Sequence, residues 1–412
     1  MHLHETLLDR FRTVRAHTES LAAPLSAEDQ TVQSMPDVSP AKWHRAHVTW
    51  FFETFVLERF APDHRPYQAE FRELFNSYYE GVGPQFTRAM RGLITRPGAE
   101  EVGKYRAHVD AAIAVLLERG AVPDEALALI ELGCHHEQQH QELLLMDAKH
   151  VLSINPLRPV YDPACALDGD PSAPAAPGLG WHEVAPDGPV EIGHAGGDTF
   201  HFDNEGPRHR VWLEPYAVAD RLVTAGEWRA FIDDGGYRRP ELWLSDGWHN
   251  VQREGWTAPL YWAPAAPGEW LVHTLAGTRP VADGEPVTHV SHYEADAYAR
   301  WVGAQTDDVV RLPTEFEWEH AATVDPGRGR LHGLADTAWQ WTSSAYLPYP
   351  GFVPAAGAVG EYNGKFMSGQ MVLRGASSFT PAGHARPTYR NFFPARCRWM
   401  RSGVRLAKDL PR

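Results

Sequence analysis

Residues 123–153 read PDEALALIELGCHHEQQHQELLLMDAKHVLS, with proline and aspartate at the start and apolar side chains at spacings of three to four positions. Proline and aspartate favour the first turn of a helix, and this spacing is the pattern of a helix with one apolar face. We therefore predict one long helix over the whole stretch. The apolar segment 143–152 directly follows the polar segment 135–142, HHEQQHQE, which indicates that the polar segment belongs to a buried helix.

Two histidines of this helix, His136 and His140, are four positions apart. They therefore lie on one helix face, about 6 Å apart along the axis, and can bind one metal ion together. His135 is rotated by about 100° from them, and Glu142 also faces elsewhere, which favours a supporting role for that carboxylate. The simpler interpretation, an exposed polar helix face without a metal, stays open on this pattern alone.

A second histidine motif lies in residues 42–57, KWHRAHVTWFFETFVL. His47 precedes Trp50 and Phe51 on a strongly apolar helix, where a polar ring needs a hydrogen bond or a metal. His44 is three positions earlier and competes with His47 as a ligand. Three neutral imidazoles without a carboxylate suit iron, zinc or copper, and three protein ligands leave positions open for substrate or oxygen.

The composition narrows the possible functions of the 412-residue chain. Its net charge of −15 argues against a nucleic-acid partner, because no basic stripe would offset the phosphates. The three cysteines fit a reducing compartment and are too few for a disulfide framework. We find no signal-peptide core and no run of about 18 apolar residues, and therefore expect a cytoplasmic protein without a membrane partner.

The residue composition and the apolar pattern change along the chain, which predicts two domains. Residues 1–155 read as helices, with further helical patterns at 5–22 and 107–120, the latter ending at Gly120. Residues 156–185 are rich in proline, alanine and glycine and are predicted as a linker. Residues 186–412 are loop-rich and aromatic-rich, a texture typical of domains that supply binding pockets. Strands are predicted within 209–219 and 370–377, and a helix within 291–304.

Several motifs together resemble a known family. Residues 43–53, 74–85 and 135–145 (WHRAHVTWFFE, LFNSYYEGVGPQ and HHEQQHQELLL) resemble the DinB-like helical domain of the ergothioneine-biosynthesis sulfoxide synthases. The second half resembles the formylglycine-generating-enzyme domain of the same enzymes, in RLPTEFEWEHAA (311–322), AWQWTSSAYLPYPGF (338–352), GAVGEYNGKFM (357–367) and TYRNFF (388–393). The resemblance implies an α+β protein, with a DinB-like helical bundle followed by a loop-rich, C-type-lectin-like domain.

The resemblance also implies an activity. In this family, which includes ergothioneine, ovothiol and selenoneine synthases, a non-haem iron(II) is held by three histidines, here His47, His136 and His140. The implied enzyme is an iron- and O2-dependent oxidoreductase that acts on hercynine, the trimethylated betaine of histidine. It couples a thiol or selenol donor to the imidazole C2 of hercynine.

Other motifs match substrate-binding residues of the family. Asn391, Phe392 and Phe393 are expected to hold the trimethylammonium group, which cannot donate hydrogen bonds and prefers aromatic faces and polar dipoles. Gln139 matches the residue that hydrogen-bonds the substrate imidazole. A purely structural role is also possible for each of these residues: the phenylalanines would then pack in the core, and Gln139 would lie on the helix surface.

Two tyrosines and three arginines complete the expected site. Tyr78 or Tyr79 is expected to supply a proton during the oxygen chemistry. The alternative is that both rings only pack at a helix end, since the sequence pattern would be the same. Arg88, Arg91 and Arg96 are candidates for binding the carboxylate or hydroxyls of the donor, and one or two of them are expected to be surface charges.

The chain departs from the common family pattern in two loops. Residues 373–381 read LRGASSFTP where many relatives read approximately LRGGSCATP, and residues 398–407 read RWMRSGVRLA. Ser378 and Phe379 would give a donor pocket with a short polar group and an apolar wall, which favours a selenosugar donor and selenoneine synthesis. The alternatives are ergothioneine synthesis with cysteine or γ-glutamylcysteine, and a non-catalytic betaine-binding protein.

Overall fold

The structure is a computed structural model that describes residues 2–119, 122–169, 176–197, 199–306, 308–324 and 329–410. Gly120, the predicted end of a helix, lies outside these ranges. The helices of the N-terminal half are α1 His2–Ala22, α2 Ala41–Phe52, α3 Glu58–Phe60, α4 Phe71–Leu74, α5 Ala99–Glu118 and α6 Asp124–Ser153. A π-helical turn, Glu53–Leu57, follows α2, and a 3-10 turn covers Arg88–Leu93.

Helix α6 is the long helix predicted from the sequence, and it begins at Asp124 directly after Pro123. It packs on α1 and α2, and α2 also packs on α5. All residues of α2 are buried, which makes it the central helix of the bundle. Both histidine motifs are therefore carried by helices of the core.

A buried charge network ties these helices together. The Glu137 carboxylate accepts hydrogen bonds from Arg15 Nη1 at 2.8 Å, Arg106 Nη2 at 2.9 Å and Thr18 Oγ1 at 2.6 Å. Arg15 also donates to Thr49 Oγ1 of α2 at 2.9 Å. The partners of this carboxylate come from α1 and α5, and Arg15 extends the network to α2, so the network links α6 to the three other helices around the histidines.

The C-terminal half is built from short strands and a few helices. Its helices are α7 Ala225–Asp233, α8 Ser245–Glu254, α9 His292–Gly303 and α10 Glu315–Val324. Its strands are β1 Trp181–Val184, β2 Val190–Ile192, β3 His209–Val211, β4 Tyr216–Ala219, β5 Trp262–Pro264, β6 Trp270–Thr274, β7 Gly277–Pro280, β8 Val310–Arg311, β9 Trp339–Ala345, β10 Met371–Arg374, β11 Asn391–Phe393, β12 Ser402–Gly403 and β13 Ala407–Asp409. The strands predicted within 209–219 and 370–377 and the helix predicted within 291–304 are confirmed.

The strands form small, mostly antiparallel sheets. One sheet has the order β1-β4-β13-β8 and another the order β11-β10-β9-β12, in which β11 pairs antiparallel with β10 and β12 pairs parallel with β9. Strand β11 consists of the asparagine and the two phenylalanines of the TYRNFF motif, so the sheet fixes their positions. A helical bundle followed by a strand- and loop-rich half confirms the predicted α+β class.

The segment expected to be a linker packs against both halves. Tyr161 donates to the backbone carbonyl of Leu21 in α1 at 2.6 Å, and the buried Asp168 pairs with Lys149 of α6. Asp168 also accepts a hydrogen bond from the backbone N–H of Leu275 in the C-terminal half at 2.6 Å. Strand β1 starts at Trp181, before the expected end of the linker at residue 185. Among the described helices, none has the length and apolar character needed to cross a bilayer.

Candidate metal centre and substrate cavity

Three histidines from two helices converge in the core of the bundle. His47 comes from α2, and His136 and His140 come from successive turns of α6. One ring nitrogen of each lies within 4.8 Å of the others. The ring centroids are 5.0 Å apart for His47 and His136, 4.8 Å for His47 and His140, and 4.6 Å for His136 and His140. The structure thus brings together the three residues that the sequence proposed as ligands.

The hydrogen bonds around the cluster leave nitrogen lone pairs available. His47 Nδ1 lies 2.7 Å from the carbonyl oxygen of Phe75, which can only accept, so Nδ1 carries the proton and Nε2 keeps its lone pair. Within the described part of the chain, His47 Nε2 and both ring nitrogens of His136 have no hydrogen-bond partner, although they are buried. Buried polar atoms without partners are costly, and a bound metal ion would satisfy them.

His44 supports the cluster and does not replace His47 in it. Its Nε2 lies 2.9 Å from the carboxylate of Asp147, and its Nδ1 lies 2.9 Å from Nδ1 of His140. The carboxylate can only accept, so His44 donates from Nε2 and accepts at Nδ1. His140 therefore carries its proton on Nδ1 and presents the lone pair of Nε2 to the cluster. The carboxylate is itself fixed by Trp399 Nε1, which donates to it at 3.0 Å.

Burial keeps the three rings neutral. It lowers the pKa of His136 to about 3, and it lowers the pKa of His47 and of His140 well below the usual value, with further lowering from the neighbouring rings. Neutral imidazoles are the form that binds metals, and this set lacks a carboxylate. The residues present therefore fit a borderline divalent ion such as iron(II), zinc or copper.

A cavity of about 520 Å³ opens beside the cluster, between the two domains. The helical half contributes His136, His140 and Trp43 to its lining, and the C-terminal half contributes Tyr362 and Tyr389, among others. Because α6 carries two of the histidines and also contacts the C-terminal half, the histidine cluster and the second domain face the same space. This is the arrangement expected of a ligand pocket at a domain interface.

Gln139 points to this interface and is held by two tyrosines. Its Oε1 accepts a hydrogen bond from the Tyr362 hydroxyl, and its Nε2 donates to the Tyr389 hydroxyl at 2.6 Å. The orientation of the amide is thus fixed by the C-terminal half. Gln139 is therefore not an ordinary residue of the helix surface.

The two tyrosines expected to act in catalysis have different positions. Tyr78 lines the cavity and packs on Phe366, whereas Tyr79 is fully buried outside the lining, against Trp50. Neither ring contacts a histidine of the cluster in the described part of the chain. Tyr362 does, with its ring centroid 5.4 Å from that of His136, and burial raises its pKa well above the usual value. Tyr362 is thus the phenol best placed to act at the centre.

The residues expected to bind the trimethylammonium group all line the cavity. They are Asn391, Phe392 and Phe393 of β11. Phe392 stacks on Tyr346 with centroids 4.0 Å apart, and Phe393 contacts the edge of Trp399 at 5.6 Å. These contacts fix both rings and leave aromatic surface facing the cavity.

Two of the three candidate arginines line the cavity. Arg91 is buried, with its guanidinium 3.4 Å from the Trp43 ring centroid, and it donates to the hydroxyls of Ser39 at 3.0 Å and Ser77 at 3.1 Å. Arg88 is exposed and also lines the cavity. Neither has a carboxylate partner within the described ranges. Arg96 is exposed as well, and it is the one of the three that lies outside the cavity lining.

The expected donor-pocket residues Ser378 and Phe379 lie elsewhere, which corrects the sequence-based placement. The Ser378 hydroxyl donates to the backbone carbonyl of Leu167, and Phe379 is buried near the charged groups of Lys149 and Arg401. Neither side chain lines the cavity. Their loop packs against the segment that joins the domains, so changes in it do not reach a donor in the cavity directly.

Glu142 has the supporting role that its helical position predicts. It accepts hydrogen bonds from Trp339 Nε1 at 2.8 Å, Ser377 Oγ at 2.5 Å and Thr380 Oγ1 at 2.7 Å, all from the C-terminal half. His135 also stays outside the cluster, stacked on Phe200 with centroids 3.6 Å apart. Both residues fasten α6 to the second domain.

The two halves match two different protein families. Residues 10–144 match the DinB superfamily, and residues 182–332 match the sulfatase-modifying factor enzyme 1-like domain. The hercynine oxygenase of Mycolicibacterium smegmatis is 31% identical over 98% of this chain and 99% of that protein. The hercynine oxygenase of Mycolicibacterium thermoresistibile is 31% identical over 92% and 89%, respectively.

This chain belongs to the hercynine oxygenase family. The formylglycine-generating enzyme of Streptomyces coelicolor is also 31% identical, but over only 43% of this chain and 55% of that enzyme. The histidine cluster lies in the helical half, which the likeness to hercynine oxygenases includes and the sulfatase-modifying factor match, residues 182–332, does not.

In this member of the hercynine oxygenase family, two residues beside the histidine cluster were missed by sequence reasoning. Tyr362 lies within the quoted motif 357–367 but was not singled out, because nothing in a loop motif shows which side chain reaches another domain. Asp147 carried a usable signal, since it follows His140 by seven positions and so lies on the same face of α6. Met400 belongs to the second loop that departs from the family pattern, residues 398–407, and it lines the cavity.

Proposed function

We propose that the chain is an iron(II)- and O2-dependent oxidoreductase that joins the imidazole C2 of hercynine to the sulfur or selenium of a donor. The observation that carries the proposal is the convergence of His47, His136 and His140 beside a cavity that both domains line. The substrate class comes from the hercynine oxygenases that align with nearly the whole chain. The C2–H bond of hercynine and the S–H or Se–H bond of the donor break and a C–S or C–Se bond forms, while O2 takes up the two electrons and the two protons that are released.

Iron held by the three imidazoles would supply the electron transfer to O2 that ordinary side chains lack. The protein would supply binding and orientation. Asn391, Phe392 and Phe393 would hold the trimethylammonium group through aromatic faces and the asparagine dipole. Gln139 would hydrogen-bond the imidazole near the histidines. The two ends of hercynine would thus be fixed by different domains.

Tyr362 is the proposed proton donor. Burial raises the pKa of its phenol, so the hydroxyl stays protonated at neutral pH and can donate a proton to a group that becomes negative. Its hydroxyl is held in place by donating to Gln139 Oε1. The same amide would thus position both the substrate imidazole and the phenol.

The arginines support a donor that carries a carboxylate. Arg88 and Arg91 line the cavity without carboxylate partners among the described residues, and guanidinium groups bind carboxylates through paired hydrogen bonds. Asp37 lies in the same lining and could receive an ammonium group. These charges complement an amino-acid thiol such as cysteine or γ-glutamylcysteine better than a selenosugar. The residues that favoured a selenosugar, Ser378 and Phe379, lie outside the cavity.

The test is a competition between donors. Protein reconstituted with iron(II) without oxygen is given hercynine, O2 and equal amounts of cysteine, γ-glutamylcysteine and a selenosugar, and the products are identified by mass spectrometry. We expect a sulfur-containing hercynine adduct as the main product. A main product that contains selenium would contradict the inference from the arginines, and the absence of any hercynine adduct would contradict the function.

An arginine pair provides the matched control. Arg88→Gln removes an exposed cation of the cavity and should raise the KM for the thiol about tenfold, the cost of one charge-assisted hydrogen bond, with the KM for hercynine unchanged. Arg96→Gln removes an exposed cation outside the cavity and should leave both values unchanged. A rise in the KM for hercynine alone in Arg88→Gln would place the carboxylate of hercynine at this arginine.

A further inference from the structure

We propose a second metal site, formed by Glu53, His64 and His108 on the helical bundle. One ligand atom of each residue lies within 4.8 Å of the others. None of the three lines the cavity, and none belongs to the histidine cluster described above. The site would bind a borderline divalent cation such as zinc(II), cobalt(II) or nickel(II).

The Glu53 carboxylate is held as a preformed ligand. Its Oε2 accepts a hydrogen bond from the Tyr105 hydroxyl at 2.8 Å, and its Oε1 accepts one from the backbone N–H of Tyr67 at 3.1 Å. His64 Nε2 lies 3.1 Å from the same Oε1. The side chains of His64 and Glu53 are 4% and 5% exposed, so the anion and the imidazole are fixed against each other inside the protein.

His108 closes the site from the solvent side. It lies on α5, is exposed, and has its ring centroid 5.3 Å from that of His64. Its Nε2 donates to the backbone carbonyl of Arg65 at 3.1 Å, and the Tyr67 ring packs against it at 5.6 Å, so the exposed ring has a defined position. Of the three proposed ligands, His108 is thus the one in contact with solvent.

The backbone is irregular at Glu53, the residue that supplies the carboxylate. Glu53 is the first residue of the π-helical turn Glu53–Leu57, and His64 lies in the loop after α3. Single π-helical turns inside helices recur at functional sites, because the extra residue re-aims the side chains that follow. Here the turn begins at the residue that offers the carboxylate.

Two imidazoles and one carboxylate suit zinc and its neighbours better than magnesium or calcium, which prefer oxygen ligands alone. Zinc bonds to nitrogen and oxygen of about 2.0–2.2 Å place neighbouring ligands a little over 3 Å apart, close to the 3.1 Å between His64 Nε2 and Glu53 Oε1. A bound cation would take the place of the proton that these two atoms share. Three protein ligands leave one position for water on the exposed side.

The experiment counts zinc ions per chain. Full-length protein is saturated with zinc(II) after removal of other metals, freed of excess zinc, and measured by native mass spectrometry. We expect two ions in the unmodified protein, one in His108→Ala and one in His136→Ala. His249→Ala, an exposed histidine of α8, is the matched control and should retain two.

Because His108 is exposed, its replacement should leave the fold unchanged, which the far-ultraviolet circular dichroism would check. Equal zinc contents in His108→Ala and the unmodified protein would overturn the proposal and leave the His64–Glu53 contact as a hydrogen bond. If His108→Ala loses one zinc ion and His136→Ala loses none, the result would support the second site and contradict the proposed iron site. Failure of the second site can thus be told apart from failure of the proposed function. Turnover of hercynine by iron-loaded His108→Ala should equal that of the unmodified protein.

Discussion

Replacement of Glu137 by glutamine should strongly destabilise the bundle that positions the histidines. The carboxylate is fully buried and accepts hydrogen bonds from Arg15 and Arg106. Glutamine has nearly the same shape but no charge, so the two buried guanidinium groups lose their only fully buried anion and keep the less buried Asp110 and Glu19. Removing one partner of a buried ion pair typically costs about 3–5 kcal/mol.

The pKa of the Glu137 carboxyl gives a second value for the expected loss in the free energy of unfolding. Burial alone would raise the pKa of Glu137, but the charges of Arg15 and Arg106 outweigh it and lower the pKa from 4.5 to about 2. That difference corresponds to about 3 kcal/mol of stability. Because the folded-state pKa is lowered, this contribution is complete above pH 4.5 and is lost as the pH falls from 4.5 towards 2. The free-energy difference between Glu137→Gln and the unmodified protein should therefore shrink to about 1 kcal/mol at pH 3.

The assay is urea unfolding followed by helical circular dichroism at pH 7 and at pH 3. Glu131→Gln is the matched control on the same helix, because its carboxylate also pairs with an arginine but both side chains are partly open to solvent, with 40% and 35% of their surface exposed. An exposed pair contributes about 0–1 kcal/mol, so the control should lose less than 1 kcal/mol. A loss of less than 1 kcal/mol at pH 7 in Glu137→Gln, or a loss independent of pH, would refute the reasoning.

Three further predictions test the packing and the site. Gly133→Ala places a Cβ 2.4 Å from a phenylalanine ring of α2 and should lower the free energy of unfolding by about 1–3 kcal/mol. Gly103→Ala, whose Cβ would have its nearest neighbour at 3.5 Å, should raise it by up to about 1 kcal/mol. Thermal unfolding measures both changes, and equal effects would contradict the packing. His44→Ala should weaken iron binding about 10- to 100-fold in a chelator competition, and unchanged affinity would mean that His140 needs no hydrogen-bond partner. Tyr362→Phe should bind hercynine normally but form little of the coupled product, as measured by mass spectrometry, whereas Tyr78→Phe should form the product normally. Loss of product in Tyr78→Phe and not in Tyr362→Phe would assign the proton transfer to Tyr78.

The sequence was informative where a regular period fixes side-chain direction. Helical spacing placed His136 and His140 on one face and turned His135 and Glu142 away from it, and all four lie as that spacing requires. His47 was accessible to sequence reasoning because an apolar helix isolates a polar ring. The spacing alone left His44 and His47 as alternatives and only the family resemblance favoured His47; the physical reason lies in hydrogen bonds that reach across to α6.

Loops were predicted less well, because the direction of a loop side chain depends on what packs against it. The changes at Ser378 and Phe379 are real departures in sequence, yet both side chains turn towards the segment between the domains and away from the cavity. Tyr362 shows the converse case, in which a loop residue reaches the other domain and hydrogen-bonds Gln139. No local pattern in either loop carries this information.

The central claim is tested most directly with hercynine that carries deuterium at the imidazole C2. The protein is reconstituted with iron(II) and given O2 and γ-glutamylcysteine, and the hercynine-derived product is measured by mass spectrometry. The proposed reaction predicts an adduct that has lost the C2 deuterium, formed only when both iron and O2 are present. Recovery of all the hercynine with its deuterium retained, under conditions in which the protein holds one iron at the three histidines, would contradict it.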